Sequence, residues 1–153
     1  MGERLTAGEV CTRAVTIAFR ATSLNTAARL MRENHVGCLV VVDEVDGRRP
    51  VVGMLTDRDI VTSVLACDLD IEGLCVADVM TANPATARED DSLIDLMRAM
   101  GLTGVRRIPV VGEGGTLIGL ASLDDVLEIL VEELGLLVAA MDSGGRRERR
   151  MRK

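Results

Sequence analysis

The chain has 153 residues, 48% of them hydrophobic, which suits one compact domain or two small repeats sharing a core and excludes a disordered polymer. Phe19 is its only aromatic residue, which excludes recognition by stacking bases on aromatic platforms. Lys and Arg total 18 against 24 Asp and Glu, a net charge of −6, so the body does not bind nucleic acid by bulk charge.

Met1-Gly2 leads into Glu3, Arg4 and Thr6 with no apolar signal core, and no apolar run approaches the ~20 residues of a membrane span. A cytoplasmic protein without membrane contact is expected. Val15, Thr16 and Ile17 predict a short strand. Thr22-Ser23 then predict the cap of a helix whose apolar face is Leu24, Ala27, Ala28 and Met31. His35 falls near the end of that helix, the place of a capping or partly exposed imidazole. Residues 39–42 and Val51-Val52 read as strands joined by an Asp46-Gly47 turn, and a second helix starts at Thr56. After a connector over residues 65–76 the order recurs. Ala85, Thr86 and Ala87 weakly echo the first strand, and Asp91 is expected to cap a helix carrying Leu93, Leu96, Met97 and Met100. Residues 108–111 and Leu117-Ile118 are strands around a flexible Gly112-Glu113-Gly114-Gly115 turn, followed by a helix from Ser122.

This recurrence is a duplication. A shift of 69 residues lays Val10-Cys11-Thr12 on Val79-Met80-Thr81, Ser23-Leu24 on Ser92-Leu93, Val36 on Val105 and Val41-Val42 on Val110-Val111 without a gap. Past the turn the register shortens by three, so that Gly53 falls on Gly119. The unit is β-α-β-β-α, at residues 7–68 and 76–137. Neither copy of ~60 residues buries much core alone, so the two are expected to pack face to face as a pseudo-symmetric pair. The fold class is α/β, or α+β in some schemes.

The most informative spacing is Gly53-x-x-Thr56-x-x-Asp59, matched by Gly119-x-x-Ser122-x-x-Asp125. Two chemistries fit. One is a helix capping box, hydroxyl first and acid three residues on. The other is a ligand site: free helix-terminal N–H groups for a phosphate, a hydroxyl donor from Thr56 or Ser122, and an acid that accepts both hydrogens of a ribose diol. Arg58 adds charge beside the phosphate. Two copies in register, each after a glycine-bearing strand, favour the ligand. Cysteines at 11, 38, 67 and 75 form no CxxC or CxxH with His35, so no metal site is expected and the thiols read as small buried groups in a reducing compartment. Asp90-Asp91 and Glu128, Glu132 and Glu133 have the spacing of solvated charge. No nucleophile–base pair can be assembled, so neither catalysis nor a required cofactor is expected.

With these motifs the chain resembles a tandem pair of CBS domains, often called a Bateman module, over residues 7 to 137. The likeness rests on the strand–helix order, on Val-Cys-Thr and Val-Met-Thr opening the repeats, and on the paired Gly-x-x-[Thr/Ser]-x-x-Asp motifs. Phrases such as Met54-Leu55-Thr56-Asp57-Arg58-Asp59-Ile60 and Arg106-Arg107-Ile108-Pro109-Val110-Val111 are typical of stand-alone bacterial members. The resemblance implies AMP, ADP or ATP bound in clefts between the repeats, an energy-sensing role and disc-like homodimers. Carried over, it puts ribose on Asp59 and Asp125 and phosphate on Thr56 and Ser122. The base would lie between a first strand (Val15 to Ile17, or Ala85 to Ala87 with Thr86 at its centre) and the start of the next (Gly37, Cys38 and Leu39, or Arg107, Ile108 and Pro109). Asp124 stands where the first repeat has Arg58, so the first site is expected to bind more tightly. Arg106 and Arg107 either compensate from the neighbouring strand or are solvated. A ribose-binding acid alone does not exclude S-adenosyl or dinucleotide ligands.

Residues 126–141 form an apolar stripe that predicts a subunit interface, and hence a homodimer. Beyond Ser143-Gly144-Gly145 the last eight residues carry six cations and one anion. Residues 142–153 therefore read as a disordered, solubilising tail, with salt-sensitive contact to nucleic acid or another anionic partner as the lesser reading. The alternative for the whole chain is a nucleotide-independent interaction protein, in which Thr56, Asp59, Ser122 and Asp125 are only caps. With no effector domain in the chain, output would pass through an effector protein or a change of assembly.

Overall fold

The structure, a computed structural model, describes residues 5–151. Each copy of the repeat opens with a short helix, α1 (Ala7–Val10) and α4 (Val76–Val79), that its sequence was not expected to form. Both carry an acid three residues after the cap: Thr6 N–H donates to Glu9 Oε2 at 2.8 Å, and Cys75 N–H to Asp78 Oδ2 at 2.8 Å. The first copy continues as β1 (Ile17–Ala18), α2 (Leu24–Asn34), β2 (Cys38–Val42), β3 (Val51–Thr56), α3 (Asp57–Ser63) and a 3₁₀ turn at Leu65–Cys67. The second copy runs β4 (Thr81–Ala82), β5 (Ala87–Arg88), α5 (Leu93–Thr103), β6 (Arg107–Val111), a 3₁₀ turn at Glu113–Gly115, β7 (Leu117–Ser122) and α6 (Leu123–Met151).

Local chemistry sets the boundaries. Ser23 caps α2 by accepting from Thr26 N–H at 3.2 Å; Leu24, Ala27 and Met31 face inward, and the helix ends on His35 at φ 54°. The cap of α5 is Ser92 rather than Asp91: Ser92 Oγ accepts from Asp95 N–H, while Asp91 Oδ2 is spent on Arg88 N–H at 2.8 Å. The short first strands begin about two residues later than expected. Gly114 and Gly115 take left-handed φ of 67° and 74° in the expected flexible turn, which Gly115 N–H closes on the Gly112 carbonyl at 3.2 Å. Cys11 and Cys38 are buried as expected, but Cys67 is exposed on its turn.

In each repeat the first two strands are parallel, Ile17 opposite Val40 and Ala87 opposite Val110, and the next pair antiparallel, Cys38 opposite Thr56 and Arg107 opposite Ser122. The repeats exchange their opening segments. β4 adds to the edge of β3, with Met54 opposite Thr81, so one sheet reads β1-β2-β3-β4. In return Thr12 bridges Leu120 of β7 through hydrogen bonds of 3.0 and 2.9 Å. The glycines recurring at 53 and 119 face these crossings. A Cβ on Gly53 would overlap Met80 Sδ, and one on Gly119 would overlap Cys11 Sγ and sit 2.7 Å from the Thr12 carbonyl oxygen.

The cores follow the exchange. Val76, Val79 and Met80 pack with Leu24, Leu39, Leu55 and Val64; Ala7 and Cys11 pack with Leu96, Ile108, Val110 and Val126. Among the described residues no polar or charged residue is buried, and no helix is long and apolar enough to cross a membrane.

The expected disordered tail is corrected. α6 runs unbroken through Gly144-Gly145 to Met151; residues 152–153 of that tail lie outside the described residues. Extending an existing helix needs no new nucleus. Each glycine costs only ~1 kcal/mol, no proline intervenes, and cations near a helix C-terminus suit its dipole.

Candidate functional site

β3 ends where α3 begins, at Thr56. Thr56 Oγ1 accepts from Asp59 N–H at 3.1 Å, and Asp59 Oδ2 accepts from Thr56 N–H at 2.9 Å. The junction of β7 with α6 repeats this through Ser122 and Asp125 at 3.1 and 2.9 Å. Both capping boxes are therefore fully formed. Each carboxylate spends only Oδ2 on capping, and Oδ1 meets no donor among the described residues. The hydroxyls differ: Ser122 Oγ donates to its own Asp125 at 2.6 Å, whereas Thr56 Oγ1 makes no such bond.

The helix-terminal amides offered to phosphate by sequence are occupied at α3. Asp57 N–H donates to the Gly37 carbonyl at 3.0 Å, Arg58 N–H to Asp57 Oδ1 at 2.7 Å and Asp59 N–H to Thr56. An anion here would be held by side chains.

The exchanged segments bring each cap against the other repeat. A first cleft of about 790 Å³ joins Thr56, Arg58 and Asp59 to the β4–β5 loop (Asn83, Pro84 and Ala85) and to Gly104, Val105, Arg106 and Arg107. A second, of about 260 Å³, joins Ser122 and Asp125 to Val15, Thr16, Gly37 and Cys38. Gly37 and Arg107 line both. Gly37 lets the Asp57 carboxylate approach, since a Cβ there would lie 3.1 Å from Asp57 Oδ2.

Of the residues selected by sequence, Thr56, Arg58, Asp59, Gly37 and Arg107 meet in the first cleft, and Ser122, Asp125, Val15, Gly37, Cys38 and Arg107 in the second. Ile17 and Thr86 line neither, and Leu39, Ile108 and Pro109 turn into the interior. Asn83, Pro84 and the end of α5 were missed as cleft walls, whereas Ala85, expected beside the base, lines the first cleft. The 69-residue register held the signal, because it makes Pro84 the counterpart of Val15.

Charge separates the clefts. The first gathers Arg58, Arg106 and Arg107 against Asp57 and Asp59; the second has Arg107 against Asp125, with His35 at its wall. Asp124 lies 3.9 Å from Arg106, an exposed and loose pair of little energetic weight. Arg107 occupies the repeat position of Cys38 and lies near it. Burial pushes the Cys38 thiol up, and the Arg107 charge partly offsets this. Among the described residues no three His, Cys, Asp or Glu side chains are grouped to hold a metal ion.

A family model described as the CBS domain matches residues 7–66 and again residues 76–132. An uncharacterized protein of Methanopyrus kandleri is 30% identical over 122 residues, 80% of this chain, and the chain spans 61% of that protein's length. Hypoxic response protein 1 of Mycobacterium tuberculosis is 31% identical, with 83% of this chain and 86% of that protein covered. Its crystal structure, with two coordinated zinc ions, superposes with a TM-score of 0.71 at 30% identity over 80% of this chain and 97% of that one. The CBS-pair protein CBSX2 of Arabidopsis thaliana, crystallised in complex with AMP, gives a TM-score of 0.72 at 28% identity over 83% of this chain and 97% of that one. Each repeat that the register and the exchanged strands delimit is thus a CBS domain, and the chain belongs to the CBS-domain family as a tandem pair.

Proposed function

We propose that the protein is a regulatory module, not a catalyst, that binds an adenine nucleotide in the clefts between its repeats and reports it to an effector protein in the cytoplasm. The observation that carries this is the composition of the first cleft. A carboxylate with one free oxygen (Asp59), a hydroxyl with a free hydrogen (Thr56) and three guanidinium groups (Arg58, Arg106 and Arg107) face one space. Ribose hydroxyls suit the first group, and phosphate oxygens suit the others. Met54, Pro84 and Val105 offer aliphatic cover for a base in a chain without Trp or Tyr. The complex of CBSX2 with AMP supports adenine as that base. A ligand seated there touches both repeats, so its energy of binding depends on how they are set against each other, which is what a sensor requires.

The smaller second cleft, with its hydroxyl already engaged and one arginine, binds more weakly. Calorimetry with AMP, ADP, ATP and NAD tests the reading. Saturable heat with an adenine nucleotide is expected, and Asp59→Ala should lower affinity roughly 100-fold, the worth of two hydrogen bonds to a charged group. The lost cap should cost only ~1 kcal/mol of stability. Unchanged affinity in Asp59→Ala would remove Asp59 from the site. Absence of heat with every nucleotide would return both capping boxes to a purely structural role and the function to the protein's surfaces.

A further inference from the structure

The cap that closes α2 carries a side chain the cap does not use. His35 sits at φ 54°, in the left-handed region, with its N–H directed to the Arg32 and Met31 carbonyls, and Val36 N–H donates to Met31 at 3.0 Å. α5 ends in the same way on Gly104, at φ 67°, whose N–H donates to the Met100 carbonyl at 2.9 Å. The 69-residue register makes the two positions counterparts. All of these bonds are made by backbone atoms, and glycine enters the left-handed region at no steric cost whereas an L side chain is disfavoured there. The first repeat thus keeps an imidazole where capping alone favours glycine. His35 is exposed and lines the second cleft, while Gly104 lines the first.

We propose that His35 is a phosphate-binding group of the second cleft, and that this cleft takes a phosphorylated ligand when the imidazole is protonated. The inference rests on the reading of the clefts as nucleotide sites and adds the regulation of one of them. Charge carries it. In the first cleft three guanidinium groups stand against two carboxylates, which leaves one positive charge over for phosphate; in the second, Arg107 and Asp125 leave none. Protonated His35 gives the second cleft the same excess. It also supplies a cation that the first cleft cannot draw away, as it can the shared Arg107. The ionisable groups around the imidazole are Arg107, Asp125 and Cys38 in the cleft, Asp57 against Gly37, and Arg32 and Glu33 on its own helix. Burial pushes the Cys38 thiol up, away from neutrality. Histidine is the side-chain type that changes charge near neutrality, and His35 is the only one in the chain, so a response there has one source in the protein.

Calorimetry with AMP at about pH 8 and about pH 6 tests this in an Asp59→Ala background, where the first cleft is weakened and the second is read alone. AMP should bind about fivefold more tightly at the lower pH than it does to the same protein carrying His35→Asn, a side chain that also suits a left-handed cap. Comparing the two proteins at each pH cancels the titration of the phosphate itself. His35→Arg should bind AMP tightly at both pH values, which a purely structural cap would not produce. Adenosine should bind all three proteins alike. An identical pH response with and without His35, an adenosine response as large as that of AMP, or a second cleft that takes no AMP at the lower pH overturns the assignment of His35 and leaves the first cleft as the nucleotide site. Absence of AMP binding to the wild-type chain at either pH overturns the nucleotide reading as well.

Discussion

The exchange of opening segments makes a quantitative demand on Gly119. An alanine methyl there would overlap Cys11 Sγ and sit 2.7 Å from the Thr12 carbonyl oxygen. That carbonyl is held by Leu120 N–H at 2.9 Å while Thr12 N–H donates back at 3.0 Å, so relief must come from stretching the bridge between repeats. Overpacking of this kind costs ~1–3 kcal/mol, and a weakened backbone pair adds ~1 kcal/mol. Alanine's lower chain entropy returns up to ~1 kcal/mol. Gly119→Ala should therefore lose about 1–4 kcal/mol, centred near 2–3, or roughly 2–16 °C of Tm for a chain of this size. Gly53→Ala is the internal control. Its methyl meets Met80 Sδ, the middle of a flexible side chain, and the Thr81 carbonyl only at 3.2 Å. Methionine can swing aside, so the loss should be about 1 kcal/mol or less. Scanning calorimetry of both variants decides the matter. Equal losses, or a Gly119→Ala that melts at the wild-type temperature, would refute the idea that a rigid crossing strand ties the repeats.

Arg107 borders both clefts, so Arg107→Gln should weaken a phosphate-bearing ligand in each, about tenfold for one charged hydrogen bond, while leaving adenosine unaffected; an equal loss for adenosine in calorimetry would mean that Arg107 shapes the wall and binds no phosphate. Thiol labelling of the native protein should modify Cys67 first and Cys75 more slowly, with Cys11 and Cys38 reacting only on unfolding; rapid labelling of either buried thiol would contradict the packing around it. Burial raises both of those thiols in the folded state. The unfolded chain therefore ionises them first. Their contribution to stability is complete below the ordinary thiol value of about 8.5 and declines as pH rises above it, a loss that denaturant melts from pH 7 to 10 should register and that Cys38→Ser should reduce.

What the sequence shows and what it hides divide along a physical line. Hairpin strands, caps and the two Gly-x-x-[Thr/Ser]-x-x-Asp junctions are encoded by neighbouring stretches of chain, and the structure places them within a residue or two of where their local chemistry points. The exchange was hidden because a register says that Val-Cys-Thr resembles Val-Met-Thr but not which copy either one touches. Pairing within a repeat and pairing across repeats satisfy the same local pattern. Crossing unites the two half-cores, and two-residue strands such as β4 carry too little propensity to announce it. The walls that Asn83 and Pro84 add to the first cleft were hidden for the same reason. The tail was misread because glycines and arginines were taken as stops, when their local cost is small beside the advantage of extending a helix already formed.

The duplication also separates positions that the fold keeps alike from positions that differ at the clefts. Gly53 and Gly119, Thr12 and Thr81, and Ser23 and Ser92 are kept alike, and all of them sit at crossings or caps. Two positions that differ in charge face the clefts or their rims: Arg58 against Asp124, and Cys38 against Arg107. A fold under one set of steric demands has thus produced two clefts with different electrostatics. The first carries three arginines, Arg58, Arg106 and Arg107. The second shares its one arginine with the first, so a phosphate that draws Arg107 into one cleft removes the cation from the other. Two equivalent, independent sites per chain would be hard to reconcile with that arrangement, and binding stoichiometry read at two ligand concentrations separates the cases.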